Sequence, residues 1–249
     1  MSKILVIGAR GRAARAAVAE ARARGHQVLG VARAVADGSV ADGSVAAGSV
    51  AAGSVAAGSV AAGANGRGSG GHGSAGGESA GGELAGGLVA GDVTDAARIA
   101  ELAVGYDAVI AGVYDGASDP AVFFPAAARA LVEGLQKAGV ARLVWVGLAS
   151  ILPTADGTLL MDTDGYPTEY RSFFLAHQAA LDIFASSALD WVSVAPTGDF
   201  DHADPTRGGR YRVAPANARD LISYADLAVA LVDEADRPAH HREAIGITV

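Results

Sequence analysis

Residues Lys3 to Arg15 read Lys-Ile-Leu-Val-Ile-Gly-Ala-Arg-Gly-Arg-Ala-Ala-Arg. The apolar run Ile4 to Ile7 breaks at Gly8 and Gly11 and passes into an Ala- and Arg-rich stretch, which predicts a strand, a glycine turn and a helix. Glycine at 8 and 11 lets the backbone turn tightly and approach a diphosphate, while the free N–H groups opening the helix turn their partial positive charge toward it. Ala14, Ala17, Val18 and Ala21 fall on one helix face small enough to sit close on a sheet, Gly25 ends the helix, and His26 to Ala32 reads as a second strand. This is the opening of a dinucleotide-binding βαβ unit.

The end of the second strand carries the choice between dinucleotides. An acid there holds a ribose 2′-hydroxyl and an arginine accepts a 2′-phosphate. The chain has Arg33 and no acid, with Arg10 and Arg12 in the turn, so paired guanidinium donors favour NADP, with NAD the alternative. A solvated arginine at a strand end is the plain alternative for Arg33.

The chain has 249 residues and a net charge of −8, enough length for a full core and the wrong sign for sequence-independent nucleic-acid binding. It has no cysteine, which excludes disulfides, thiolate nucleophiles and cysteine metal sites. No signal-peptide pattern or membrane-length apolar run is visible, so a cytoplasmic protein with a small-molecule substrate is expected, as monomer or homodimer. From Val35 to Gly87 the composition changes to Val-Ala-Asp-Gly-Ser and Val-Ala-Ala-Gly-Ser repeats and then to Gly/Ser-rich sequence. One glycine in five opposes helix and one valine per repeat builds no core, so residues 35–87 are expected to be a mobile insertion.

Beyond it the α/β rhythm resumes. Strands are expected at Leu88 to Ala90, Asp107 to Val113, Arg142 to Leu148, Trp191 to Ala195 and Ala244 to Val249. Helices are expected to end near Val104 and to cover Pro125 to Ala138, Thr168 to Ser186 and Ala225 to Asp236. The alternation predicts a single α/β domain over 1–249, a Rossmann-type doubly wound parallel sheet, with 196–249 as its substrate-side elements.

Taken together, Lys3 to Arg15, Gly91 to Asp95, Arg142 to Ser150 and Ala176 to Pro196 resemble the atypical short-chain dehydrogenase/reductases. The likeness is to the NmrA-like, NAD(P)H-binding group that includes biliverdin reductase B and NADH-flavin reductases. That group usually has Gly-Ala-Thr-Gly-x-x-Gly at the turn, where this chain has Arg10 for Thr and Ala14 for the last Gly. The resemblance implies cofactor-binding roles for Gly8, Arg10, Gly11, Arg12, Ala13 and Arg33, and places Asp92 and Val93 beside the adenine. It puts Ala111, Gly112 and Val113 under the cofactor, Ser150 near the nicotinamide and Pro196 near its amide. Asp92 as a helix cap, Ser150 as a local backbone partner and Pro196 as a strand end are the plain alternatives.

The superfamily's Tyr-x-x-x-Lys pair cannot be built here. The only lysines are Lys3, in the first strand, and Lys137, at a helix end. Phe174 and Gln178 occupy the expected positions. The nearest candidates for proton chemistry are Tyr170 and His177, which flank Phe174 at i−4 and i+3 on one helix face, and Ser150. His177 is a candidate general acid near neutral pH, while Tyr170 or Ser150 would polarise a carbonyl; both helix residues could equally be packing groups. The expected function is an NADP(H)-dependent reductase of a small aromatic or conjugated substrate, with Phe123, Phe124, Phe173, Phe174, Tyr166 and Tyr170 bordering the cleft. The alternatives are a non-catalytic dinucleotide-sensing regulator and a non-redox tailoring enzyme. Asp199 to Asp204 reads as a solvated acidic loop, and His240 and His241 as a surface pair diverging on a strand.

Overall fold

The structure is a computed structural model that describes residues 1–33, 83, 84, 87–204 and 206–249. Most of the 35–87 repeat stretch lies outside the described residues. In chain order the elements are β1 (Lys3–Ile7), α1 (Arg12–Ala23), β2 (Gln27–Ala32), β3 (Glu83–Leu84), β4 (Leu88–Ala90), α2 (Ala96–Ala103), β5 (Ala108–Ala111) and α3 (Pro120–Ala138). There follow β6 (Arg142–Val146), α4 (Arg171–Ala185), β7 (Asp190–Pro196), β8 (Asp199–Phe200), β9 (Arg212–Val213), β10 (Leu221–Ile222), α5 (Tyr224–Asp236) and β11 (Glu243–Thr248).

The main sheet runs β3-β4-β2-β1-β5-β6-β7-β11-β9. Its seven inner strands are parallel and only the two-residue edges β3 and β9 pair antiparallel. This is the doubly wound order: the chain winds outward from β1 to β4, then crosses back to lay β5 on the other side of β1. The crossing opens a crevice between the carboxyl ends of β1 and β5, where open α/β sheets bind ligands.

Both sheet faces are covered, so each strand alternates between two cores rather than between core and water. Ile4 and Val6 meet α1 and α5 through Ala14, Ala17, Ala21, Leu227 and Leu231. Leu5 and Ile7 meet the layer of α2, α3 and α4 through Ile99, Phe124, Leu131 and Phe184. Among the described residues no helix is long and apolar enough to cross a membrane.

Three details differ from the sequence reading. Helix α3 starts at Pro120, with the Asp119 side chain accepting from Ala121 N–H; Pro125 lies inside the helix rather than opening it. Proline fits the first turn, where its missing N–H has no partner, and Asp119-Pro120 supplies that signal. Glu83–Leu84, inside the 35–87 stretch, forms an edge strand on β4. His240 and His241 precede β11 rather than sit in a strand, and each meets a different carboxylate: Glu234 at 2.7 Å and Asp190 at 2.8 Å.

Candidate functional site

The crevice holds a cavity of about 500 Å³ that runs from the glycine turn to an aromatic end between α3 and α4. At the turn, Gly8 and Ala9 donate N–H bonds to the Val31 carbonyl, and Gly11 donates to the Gly8 carbonyl. Gly8 has φ +80, and a Cβ there would overlap the carbonyl of Gly112, the residue just past the neighbouring strand β5. Only glycine lets the two strand ends approach this closely. Gly11 caps α1 with no side chain to accept its N–H groups, and there is no acid in the first turn. The opening donors of α1 therefore face the cavity, and Arg10, Arg12 and Ala13 line it beside them.

Arg12 sits 5.7 Å from the centre of the Tyr224 ring, with its guanidinium 3.1 Å from His202 Nδ1. Tyr224 stacks on Phe200 at 4.0 Å, and both border the cavity on this side. The second strand's end contributes Arg33, whose guanidinium meets the Asp115 carboxylate through both nitrogens, at 2.8 and 3.1 Å. At the far end Phe123, Phe124, Phe173 and His177 close the cavity.

A family model described as NAD(P)H-binding matches residues 82–238. The chain belongs to the NAD(P)H-binding family. Among individual relatives, the uncharacterized protein YwnB of Bacillus subtilis is 34 % identical over 125 residues, which is 47 % of this chain and 59 % of that protein. The chain thus spans less than two thirds of that curated relative's length. Of solved structures, a protein of Burkholderia pseudomallei provisionally described as exported is 28 % identical, with a TM-score of 0.71 over the whole of both chains. A Streptococcus pneumoniae protein provisionally described as an NADH-flavin reductase is 24 % identical, with a TM-score of 0.68 over all of this chain and 99 % of that one, a likeness of fold.

The cavity suits the dinucleotide that the family binds. Its floor is a cradle that a Cβ would fill, and one wall carries open helix donors and guanidinium groups. Gly8, Arg10, Gly11, Arg12, Ala13, Arg33, Val93, Gly112 and Val113 all line it, as does His177.

Five residues selected as catalytic or cofactor-binding do not line it, and of the aromatic set neither do Phe174 and Tyr166. Asp92 is exposed and turned aside, accepting from Thr94 N–H and Thr94 Oγ1 at 2.8 Å; the cap of α2 is Asp95, and Gly91 and Val93 face the cavity. Ala111 is fully buried in the core under the sheet. Pro196 is buried at the end of β7, in register with Ile247 of β11. Ser150 lies buried in a 3-10 turn, Ala149–Ile151, with no hydrogen-bond partner for its hydroxyl among the described residues. Tyr170, at the entrance to α4, is 47 % exposed. A helix turns about 100° per residue, and the face that buries Phe174 and His177 leaves Tyr170 outside because α4 begins only at Arg171.

His177 also differs from its expected chemistry. Its ring lies 3.9 Å from Phe124, 5.0 Å from Phe173 and 6.0 Å from Trp145, and its Nδ1 has no partner among the described residues. Burial among these rings disfavours the charged form and pushes its pKa down to about 3, so at neutral pH it is a neutral imidazole, not a cationic general acid. A neutral ring still donates from one nitrogen and accepts at the other.

Stability should report this directly. As pH falls below 6.5 the unfolded chain takes up a proton at His177, while the folded protein does not until about pH 3. Folding therefore loses up to ~1.4 kcal/mol per pH unit from this group. Glu20 and Asp115, both lowered to about 2 by their arginine partners, add acid lability only below their ordinary 4.5 and 3.8. His177→Leu should thus flatten the decline of Tm from pH 6.5 down to about 3, seen most cleanly between 6.5 and 4.5 where Glu20 and Asp115 add nothing; an unchanged slope in that window would show that the ring is charged in the fold.

Sequence reasoning missed Tyr114, Asp115, Phe200 and Tyr224 as cavity residues. Tyr224 had a legible neighbour, since Ser223 accepts from Asp226 N–H as the cap of α5 and so places residue 224 at a helix entrance. Phe200 lay within a stretch read only for its acids.

Proposed function

We propose that the protein is an NADP(H)-dependent reductase of a small aromatic or conjugated substrate of quinone, flavin or enone type, working without a Tyr-Lys pair. The observation that carries this reading is the continuity of one cavity. Its cationic, glycine-floored part suits a dinucleotide, and its other end is closed by Phe123, Phe124, Phe173 and His177. Open helix donors with Arg10 and Arg12 hold the diphosphate, and Arg33 lies where it can reach a 2′-phosphate.

When bound, the nicotinamide supplies a hydride. The aromatic end orients a planar ring by edge and face contacts and excludes water from it. The neutral His177 imidazole donates a hydrogen bond to a substrate oxygen and polarises it, while the balancing proton comes from water. Hydride and proton together reduce the substrate by two electrons. Residues 196–249 remain the substrate-side part of the single domain in this reading, although Phe200 and Tyr224 bring them to the cavity on the Arg12 side, with 35–87 as its insertion.

Calorimetry with NADPH and NADH, followed by NADPH oxidation with quinones, flavins and enones, tests the reading. Oxidation that requires one of these acceptors, and that falls by about tenfold or more in kcat/KM for His177→Leu, is the expected result. Tight NADPH binding with no oxidation by any acceptor would favour the dinucleotide-sensing alternative, to which the missing Tyr-Lys pair also points. No binding of either nucleotide would end the reductase reading.

A further inference from the structure

The pairing of Arg33 with Asp115 bears on which dinucleotide the cavity prefers, and it builds on the nucleotide-binding reading above. Arg33 directly follows β2 and Asp115 lies beyond the end of β5, so the pair bridges the two strands that flank β1 at the mouth of the crevice. Both residues line the cavity. Asp115 is 9 % exposed and is fixed by more than Arg33: Ser118 Oγ donates to it at 2.6 Å and Ala117 N–H at 3.1 Å. The loop therefore presents a preformed carboxylate, and Arg33 comes to it from a half-exposed position. Asp92, on the β4 side, adds a second negative charge acting on the same guanidinium.

These contacts give the two charges opposite preferences at a ribose 2′ position. A guanidinium has five N–H donors, and Asp115 occupies an edge pair of them at Arg33. A 2′-phosphate arriving at Arg33 must share that group with a fixed carboxylate of its own sign, within the few ångströms over which like charges oppose each other strongly. A 2′-hydroxyl carries no charge and can donate to the same carboxylate. An arginine at the end of the second strand would alone favour the phosphate; the buried carboxylate facing it works the other way.

We propose that Asp115 is a specificity-determining residue that restrains the preference for NADPH, so that the native protein accepts both NADPH and NADH with affinities within about tenfold of each other. Arg33 supplies the attraction for the 2′-phosphate, and Asp115 offsets it while providing an acceptor for the 2′-hydroxyl.

Calorimetric titration of the full chain with NADPH and with NADH, on the native protein, Asp115→Asn and Arg33→Ala, tests this. Asparagine keeps an oxygen to accept from Ala117 N–H and Arg33 Nη2, and its amide N–H can donate to Ser118 Oγ with that bond reversed, so the 115–118 turn is retained while the charge is lost. Asp115→Asn should tighten NADPH binding by about tenfold and leave NADH unchanged or up to about threefold weaker. Arg33→Ala, which leaves Asp115 facing the ribose alone, should weaken NADPH by about a hundredfold and NADH by less than about threefold. The selectivity ratio thus moves in opposite directions in the two variants, which loss of a purely structural ion pair would not do. If both nucleotides bind and the ratio stays within about twofold of native in Asp115→Asn, the proposal fails and the nucleotide site stands. If both nucleotides weaken together in Arg33→Ala, it likewise fails. If the native protein binds neither nucleotide, the site assignment falls and this inference with it.

Discussion

Gly8→Ala should weaken NADPH binding by about a hundredfold or more and destabilise the fold by roughly 3 kcal/mol. Two costs meet at this position. The backbone has φ +80, a conformation that L side chains adopt at a cost of about 1–2 kcal/mol. The added Cβ would also overlap the carbonyl of Gly112, which belongs to the same parallel register as β1, since Gly112 N–H donates to the Ile7 carbonyl. The turn cannot slide aside cheaply, because Gly8 and Ala9 both bond Val31 and Gly11 bonds Gly8. Relief must come from parting β1 and β5 at their carboxyl ends, which moves the opening donors of α1 relative to Arg33 and Val113. Gly11→Ala is the control: its backbone is ordinary, φ −64, and a Cβ would meet nothing closer than 3.2 Å. It should fold with a loss below about 1 kcal/mol. Paired melting curves and NADPH titrations separate the two variants, and native-like NADPH affinity in Gly8→Ala would remove the glycine turn from the phosphate site.

The glycine turn was legible because its requirements are local. Gly8, Gly11 and the small face of α1 lie within a few residues, and their spacing follows from the geometry of one turn and one helix. The doubly wound parallel sheet was legible from the α/β rhythm, which is likewise a pattern of local segments. What could not be read depends on contacts between distant segments. Asp115 meets Arg33 across 82 residues, most of them in the repeat stretch, and nothing in Tyr-Asp-Gly-Ala-Ser hints at that partner. His177 was found by its place on α4, but its neutrality is set by Phe124 on α3 and Trp145 on β6, elements whose approach no local pattern states. Tyr170 failed for a local reason: helical spacing was applied to a residue that precedes the helix. Asp92 is held by Thr94 rather than lining the cavity, and its plain alternative as the cap of α2 falls because the short Asp-Val-Thr-Asp stretch offers two acids for one cap and Asp95 takes it.

Unlike Gly8→Ala, which loses both binding and stability, Glu234→Ala should remove stability alone and leave the cavity intact. Glu234 is 1 % exposed near the end of α5, and its carboxylate accepts from Arg142 Nη2 at 2.8 Å and from the backbone N–H groups of Ala239 and His240 at 3.2 Å. Arg142, itself 5 % exposed at the start of β6, also donates to the carbonyls of Glu234 and His240, at 2.9 and 3.0 Å. Removing the carboxylate leaves buried Arg142 with only the part-exposed Asp190, at 3.2 Å, as a charge partner, which costs about 3 kcal/mol, or a fall in Tm of roughly 10 °C for a domain of this size. Arg142→Met combined with Glu234→Leu takes away both charges and should recover part of that loss. Recovery stays incomplete, because the carbonyls that Arg142 serves lose their donor in an interior where an unpaired acceptor costs about 1–3 kcal/mol. Neither residue lines the cavity, which lies at the opposite end of the strands. NADPH affinity measured well below the lowered Tm should therefore stay within about twofold of native. A tenfold loss there would mean that the amino ends of the strands set the crevice as well as the fold.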